Sequence, residues 1–315
     1  MKKLSLGYVE LSLAQCCIGI NIILGKLLIP EIPIFALLLL RFTLGFIFIG
    51  TYQICGNFSL VRTELSALSS KDWLIIFIQA LCGGFLFNVL ILYGLQHTSA
   101  TVTGIINSAI PALVAVFSFI ILREKLTLRI GIAILLCIAG IAVLGLGKAT
   151  PTDSNQTELL GILLVLAAIV PEALFTVLAK LLKKPLSPLT TTLLINFFNM
   201  ILFIPFAINA KWAQVKDASM LTISQIFLYS LTGGILFFVF WYRGLARISA
   251  NTAALFMGIM PISTCILAYF TLNEILGWDD LTGMVLVIIS IIIGTRYPIK
   301  KTINLNLHSK TKDKP

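Results

Sequence analysis

Two charged residues of this chain lie deep in the interior of long apolar runs, where a charge is expensive and therefore informative. Glu172 follows Pro171 in the run 159–182, and Arg41 lies in the run 34–55. On helices crossing a bilayer they would sit about 20 Å and about 12 Å from the outer ends. An ionised carboxylate at such depth is costly unless paired or hydrated, so Glu172 is expected to face a cavity. There it would carry a proton or hold a substrate amine; the plainer alternative is a neutral acid in an interhelical hydrogen bond. Arg41 would pair a substrate carboxylate or phosphate through its planar fork, or else bind neighbouring carbonyls and hold helices together. Pro171 leaves a carbonyl of the preceding turn without its helical donor, a further polar group for the same cavity.

Amides and helix breakers accompany these charges. Asn21, Gln79, Asn88, Asn107, Asn196 and Asn199 all fall within apolar runs. Each either lines a cavity or joins two helices by a hydrogen bond worth about 0.6 kcal/mol. Asn21, Asn88, Asn107 and Asn199 are the candidates for touching a substrate. Pro111 and Pro261 fall mid-run at matching places and read as hinges or as packed kinks. Gly83-Gly84 and Gly233-Gly234 allow close helix approach. Trp241, Tyr242 and Tyr269 lie toward run ends, where aromatic rings mark the membrane interface.

Other chemistry finds little support. Glu172 has no nucleophile–base partner, H-E-x-x-H helix or acidic cluster beside it in sequence, so no catalytic residue is assigned. An intramembrane enzyme acting on a lipid or small amphiphile is the competing reading. His97 and His308 are too isolated to form a metal site. Cys16, Cys17, Cys55, Cys82, Cys137 and Cys265 lie within or beside apolar runs without a C-x-x-C pair, and read as small hydrophobes. Asn155-Gln156-Thr157 matches a glycosylation sequon that matters only in a secretory pathway. No motif calls for a cofactor. The formal charge is +10, but its lysines and arginines cluster at run ends and in a tail. That pattern points to a lipid bilayer and a small-molecule substrate as partners, not nucleic acid.

The elements that must hold these residues follow from composition. Of 315 residues, 58% are hydrophobic and 11% charged, against roughly 25% charged in a soluble domain. Apolar runs of about 20 residues, the length that spans a bilayer, occur at 11–29, 34–55, 73–95, 99–122, 128–146, 159–182, 189–208, 223–245, 251–272 and 281–297. The first is long enough to span, so no cleavable export signal is expected. With the N-terminus inside, 18 of the 23 lysines and arginines fall in cytoplasmic segments and both termini are cytoplasmic. The longest internal breaks, 56–72, 147–158 and 209–222, are too short for a soluble domain.

The sequence also repeats. Displaced by 150 residues, Gly83-Gly84 meets Gly233-Gly234, Leu86-Phe87 meets Leu236-Phe237, and Gly94-Leu95 meets Gly244-Leu245. Ser99-Ala100 then meets Ser249-Ala250, Pro111 meets Pro261, and Glu124 meets Glu274. With a few residues inserted, Lys26 meets Lys180 and Arg41 meets Asn196. Five helices per copy is an odd number, so the second copy enters the bilayer inverted. The basic Arg123-Glu124-Lys125 loop has its counterpart at Asn273-Glu274, which lacks positive charge, as opposite faces require.

These features, with Asn21, Lys26 and the Arg41-Phe42 pair, make the chain resemble the EamA-type transporters of the drug/metabolite transporter superfamily. The resemblance implies an all-α membrane protein of about ten transmembrane helices, in two inverted five-helix repeats around a central cavity. The repeats would be 5–147 and 159–297, joined by an external linker 148–158 and followed by a cytoplasmic tail 298–315. It implies a secondary transporter of the cell inner membrane, an exporter of a small metabolite or drug, with amino acids and nucleotide-related compounds among the family's substrates.

Overall fold

The computed structural model describes residues 2–97, 106–107, 109–146, 155–182, 186–272 and 277–295, in which every regular element is a helix and none is a strand. Helix α1 is Lys2–Leu28 and α2 is Ile34–Ser66. Helix α3 joins Ser70–Gln79, a π turn Ala80–Leu86, and Phe87–His97. Helices α4 (Ile110–Leu122) and α5 (Leu128–Leu146) complete the first half. The second half has α6 (Asn155–Leu178), α7 (Pro188–Ala207) and a one-turn helix Trp212–Lys216. Helix α8 joins Met220–Ser230, a π turn Leu231–Leu236, and Phe237–Leu245. Helix α9 joins Ala250–Leu255, a 3-10 turn Phe256–Gly258, and Ile259–Leu272, and α10 is Trp278–Thr295.

Seven of these helices are long and apolar enough to cross a membrane: α1, α2, α3, α6, α7, α8 and α9. Three shorter apolar helices lie at Ile110–Leu122, Leu128–Val143 and Leu281–Thr295. Helix α2 corrects the sequence reading, because it runs on through most of the break expected at 56–72 and reaches 33 residues. Its extension is polar enough to end an apolar run but contains no proline to break the helix, so hydropathy stops before the helix does. Helix starts are capped locally. Ser69 and Asp72 make a capping box at α3, and Ser187, Ser219 and Ser249 cap α7, α8 and α9.

Contacts between the halves obey one rule of exchange: α5 packs on α10, α2 on α7 and α4 on α9. Helix α3 packs on α6 as α8 packs on α1, and α4 on α6 as α9 on α1. Equivalent helices run antiparallel. Phe42 of α2 stacks on Phe203 of α7 at 5.6 Å, while Gly50, two turns further along α2, faces Leu193, earlier in α7. Likewise Gly140 of α5 faces Val287 of α10, and Gly294 of α10 faces Ala133 of α5. A two-repeat inverted layout fits this plan. Small residues make the close contacts twice over: a Cβ on Gly94 would lie 3.3 Å from the Gly161 carbonyl, and one on Gly244 would lie 3.2 Å from that of Gly7. Lipid supplies no hydrophobic drive between helices, so such close approach is what holds them.

Candidate functional site

Both glycine pairs lie within the π turns of α3 and α8. A π turn inserts one residue and displaces carbonyls from their helical donors, which buried backbone must recover elsewhere. In α8 three side chains from other helices supply them. Asn21 Nδ2 donates to the Tyr229 carbonyl at 2.7 Å, Arg41 Nη2 to Gly233 at 2.8 Å, and Asn196 Nδ2 to Gly234 at 2.8 Å. In α3 the donor is local, Asn88 Nδ2 to Gly84 at 2.6 Å and to Gly83 at 3.3 Å. A side chain at any of these glycines would force its neighbours to shift. A Cβ on Gly233 would stand 2.6 Å from Asn21 Nδ2 and 2.7 Å from Arg41 Cζ, one on Gly83 would press into Phe175, and one on Gly84 would overlap the Asn199 amide.

Arg41 is buried and donates through Nη1 to Asn21 Oδ1 at 3.2 Å. Its guanidinium lies 5.2 Å and 5.4 Å from the centres of the Phe42 and Tyr229 rings. This is the contact set of an arginine that holds helices, although its Nε is buried without a hydrogen-bond partner among the described residues. Asn199 donates back to the Ile195 carbonyl of its own helix at 2.9 Å. The Oδ1 atoms of Asn107, Asn196 and Asn199 are buried without partners among the described residues.

Glu172 stands apart from this polar layer. It keeps partial access on α6, and among the described residues no hydrogen bond or ion pair reaches its carboxylate. The Cys82 thiol and the Tyr242 hydroxyl lie within electrostatic range of it. Tyr242 donates to Gln79 Oε1 at 2.9 Å, and Gln79 in turn donates to the Leu178 carbonyl at 3.4 Å. Phe175 sets its edge against Phe238 at 6.1 Å and against Tyr242 at 6.2 Å. A carboxylate within electrostatic range of a hydroxyl and a thiol can accept a proton or a cationic group.

Tyr242 and Trp241 depart from the sequence expectation. Both are buried, Trp241 completely, whereas Tyr269 is 47% exposed as an interface ring would be. The available signal was helical spacing, because Phe238 and Tyr242, four residues apart, share a face.

The three prolines sit at different kinds of break. Pro171 lies inside α6, which continues past it. Pro111 is the second residue of α4, after a tightened turn in which the Ala109 amide donates to Ile106 at 3.0 Å. Pro261 follows the 3-10 turn Phe256–Gly258, the equivalent position in the repeat. Each ring removes a donor to the carbonyl four residues back, and before Pro111 and Pro261 the chain answers by tightening. Ser99, Ala100, Lys183, Lys184, Glu274 and the tail with His308 lie outside the described residues. Two clefts among the described residues are small and apolar; one of about 160 Å³ is lined by Ile34, Phe35, Val89, Leu92 and Tyr93.

Comparison with known proteins gives the same arrangement. The EamA-like transporter family matches residues 5–146 and 159–296. An uncharacterized transporter of Bacillus subtilis, YetK, is 32% identical over 91% of this chain and 86% of its own length. An S-adenosylmethionine uptake transporter of Rickettsia prowazekii is 30% identical over 40% of this chain and 42% of its own. A crystal structure superposes with a TM-score of 0.72, covering 94% of this chain and 96% of that one at 16% identity, a likeness of fold.

Proposed function

Since the chain belongs to the EamA-like transporter family, we propose that it exports a small metabolite across the cell inner membrane by alternating access, coupled to protons at Glu172. The family makes it a multi-pass membrane transporter of the drug/metabolite superfamily; direction, substrate and coupling are our reading. The observation that carries the reading is a membrane-depth carboxylate that has no ion pair among the described residues, inside two halves whose contacts exchange under inversion. Alternating access is the motion such halves can perform, each adopting the other's conformation in turn.

In this reading the three shorter helices complete ten crossings, with both termini cytoplasmic. The repeats are 5–147 and 159–297, with an external linker 148–158 and a tail 298–315. Asn21, Arg41 and Asn88 hold the π turns, while Asn107 and Asn199, with unpartnered oxygens, face substrate or water in another access state. Substrates joining an amino acid to a nucleotide-like part suit the reading, because S-adenosylmethionine, named for the Rickettsia relative, is of that kind.

The test begins with a metabolite-release and drug-sensitivity profile of cells with and without the gene, which names the substrate. Inside-out vesicles given that compound and an inward-acidic gradient should then accumulate it unaltered, and a protonophore should stop accumulation. Equilibration without accumulation would indicate a channel instead, and an altered product would indicate an intramembrane enzyme.

A further inference from the structure

The turn between α8 and α9 is held from three directions by groups that the site does not use. Lys180, just beyond α6, donates its Nζ to the Leu245 and Ile248 carbonyls, capping the last turn of α8. Glu124, in the α4–α5 loop, accepts from the Ala250 and Asn251 amides at 3.1 Å and 3.2 Å, capping the first turn of α9. Glu10 of α1, itself buried, pairs with Arg243 at 2.9 Å and with Arg247. A cation on α8's last carbonyls and an anion on α9's first amides each match the helix dipole they meet.

The backbone is shaped for this contact. Arg123 is the one non-glycine residue with positive φ among the described residues, at 55°. Its left-handed turn ends α4, sends the amides of Arg123 and Glu124 back to the Ser118 carbonyl, and aims the Glu124 carboxylate across to α9. A left-handed arginine is uncommon, and an ordinary loop would place glycine or asparagine there.

Both capping residues recur in the internal repeat. Lys180 matches Lys26, Glu124 matches Glu274, and Ser249-Ala250 matches Ser99-Ala100. Glu10, Arg243 and Arg247 have Leu164, Tyr93 and His97 at the corresponding places, so the ion pairs belong to one face alone.

We propose that Glu124 and Lys180 are gating residues that latch the α8–α9 turn, closing one face of the transporter, and that transport requires the latch to release. The inference rests on the alternating-access reading above. Releasing the turn frees α9 from α4 and α6, whose shared contact buries Ala254 completely. Glu10 strengthens the latch through its arginines. The positive charge of this face makes it the cytoplasmic one.

Ala254→Cys, in protein lacking the six native cysteines, reports the opening through an impermeant thiol reagent applied to either face of sealed vesicles. Glu124→Gln and Lys180→Gln should each raise labelling from the cytoplasmic face about tenfold, a shift of about 1.4 kcal/mol in the two-state ratio. Each should also slow labelling of a cysteine in the outer vestibule. Caps that only stabilise helices would lower the melting temperature and leave both labelling rates unchanged, and that result overturns the proposal. Should Glu124→Gln fail to fold, Lys180→Gln tests the same turn through a separate contact. Transport measured in the same vesicles separates the two readings: labelling that shifts without any accumulated substrate defeats the transport assignment and leaves the latch.

Discussion

Glu172 and Arg41 show how differently two charges in apolar helices can be accommodated. Arg41 is surrounded by carbonyl, amide and ring faces, each suited to a delocalised cation. Glu172 has polar neighbours but no direct partner among the described residues. A group that must gain and lose a proton is served by such a setting, because a fixed cation would hold it ionised. Glu172→Gln should therefore abolish accumulation driven by a proton gradient while leaving substrate exchange across vesicles intact. Counterflow and gradient-driven uptake, measured side by side from pH 5 to 9 as an approximate window around an acid's tuned range, check this. Equal pH dependence in wild type and variant would leave Glu172 a structural residue.

Two kinds of irregular helix recur at matching places. The π turns of α3 and α8 widen the backbone beside the glycine pairs. The tightened turns before Pro111 and Pro261 narrow it. Irregular backbone at membrane depth is tolerated where side chains or water satisfy it, and Asn21, Arg41, Asn88 and Asn196 do so at the π turns. In the proposed alternating-access cycle the proline breaks would be the better hinges, because a proline removes a donor while the π turns are tied down. Pro111→Ala and Pro261→Ala should both slow transport, and should bias the protein toward opposite faces, by about tenfold for a change of about 1.4 kcal/mol. Cysteines in the two vestibules would report the bias by labelling rate. Exposure of the same side by both variants, or normal transport by both, would make the prolines packing features.

At the scale of the molecule, the antiparallel packing of α2 on α7 and of α5 on α10 is what inverted copies produce when they meet. Helix packing alone does not say which face is cytoplasmic; the proposed orientation rests on the lysines and arginines. Single cysteines in place of Lys125 and Lys183 should react only with reagent on the cytoplasmic side. Those in place of His97, Lys216 and Glu274 should react only from outside. Labelling of positions 125 and 274 from one side would contradict the inversion of the repeats in the membrane.

Hydropathy and the 150-residue repeat were enough to establish the helical class and the paired glycines and prolines, because apolar length and internal matching can be read along the chain itself. The matching of Lys26 with Lys180 and of Glu124 with Glu274 was legible too, but only as a register mark. The tertiary structure gave Lys180 and Glu124 their partners, since those lie on helices 65 to 127 residues away. It also moved Tyr242 from an expected interface ring to a neighbour of Glu172, and placed Arg41 against the Gly233 carbonyl. A membrane helix is apolar on every side, so its sequence carries little moment to say which face turns inward. Which polar side chains meet is therefore decided by how glycine surfaces let the helices pack, a property of pairs of helices that neither helix encodes alone.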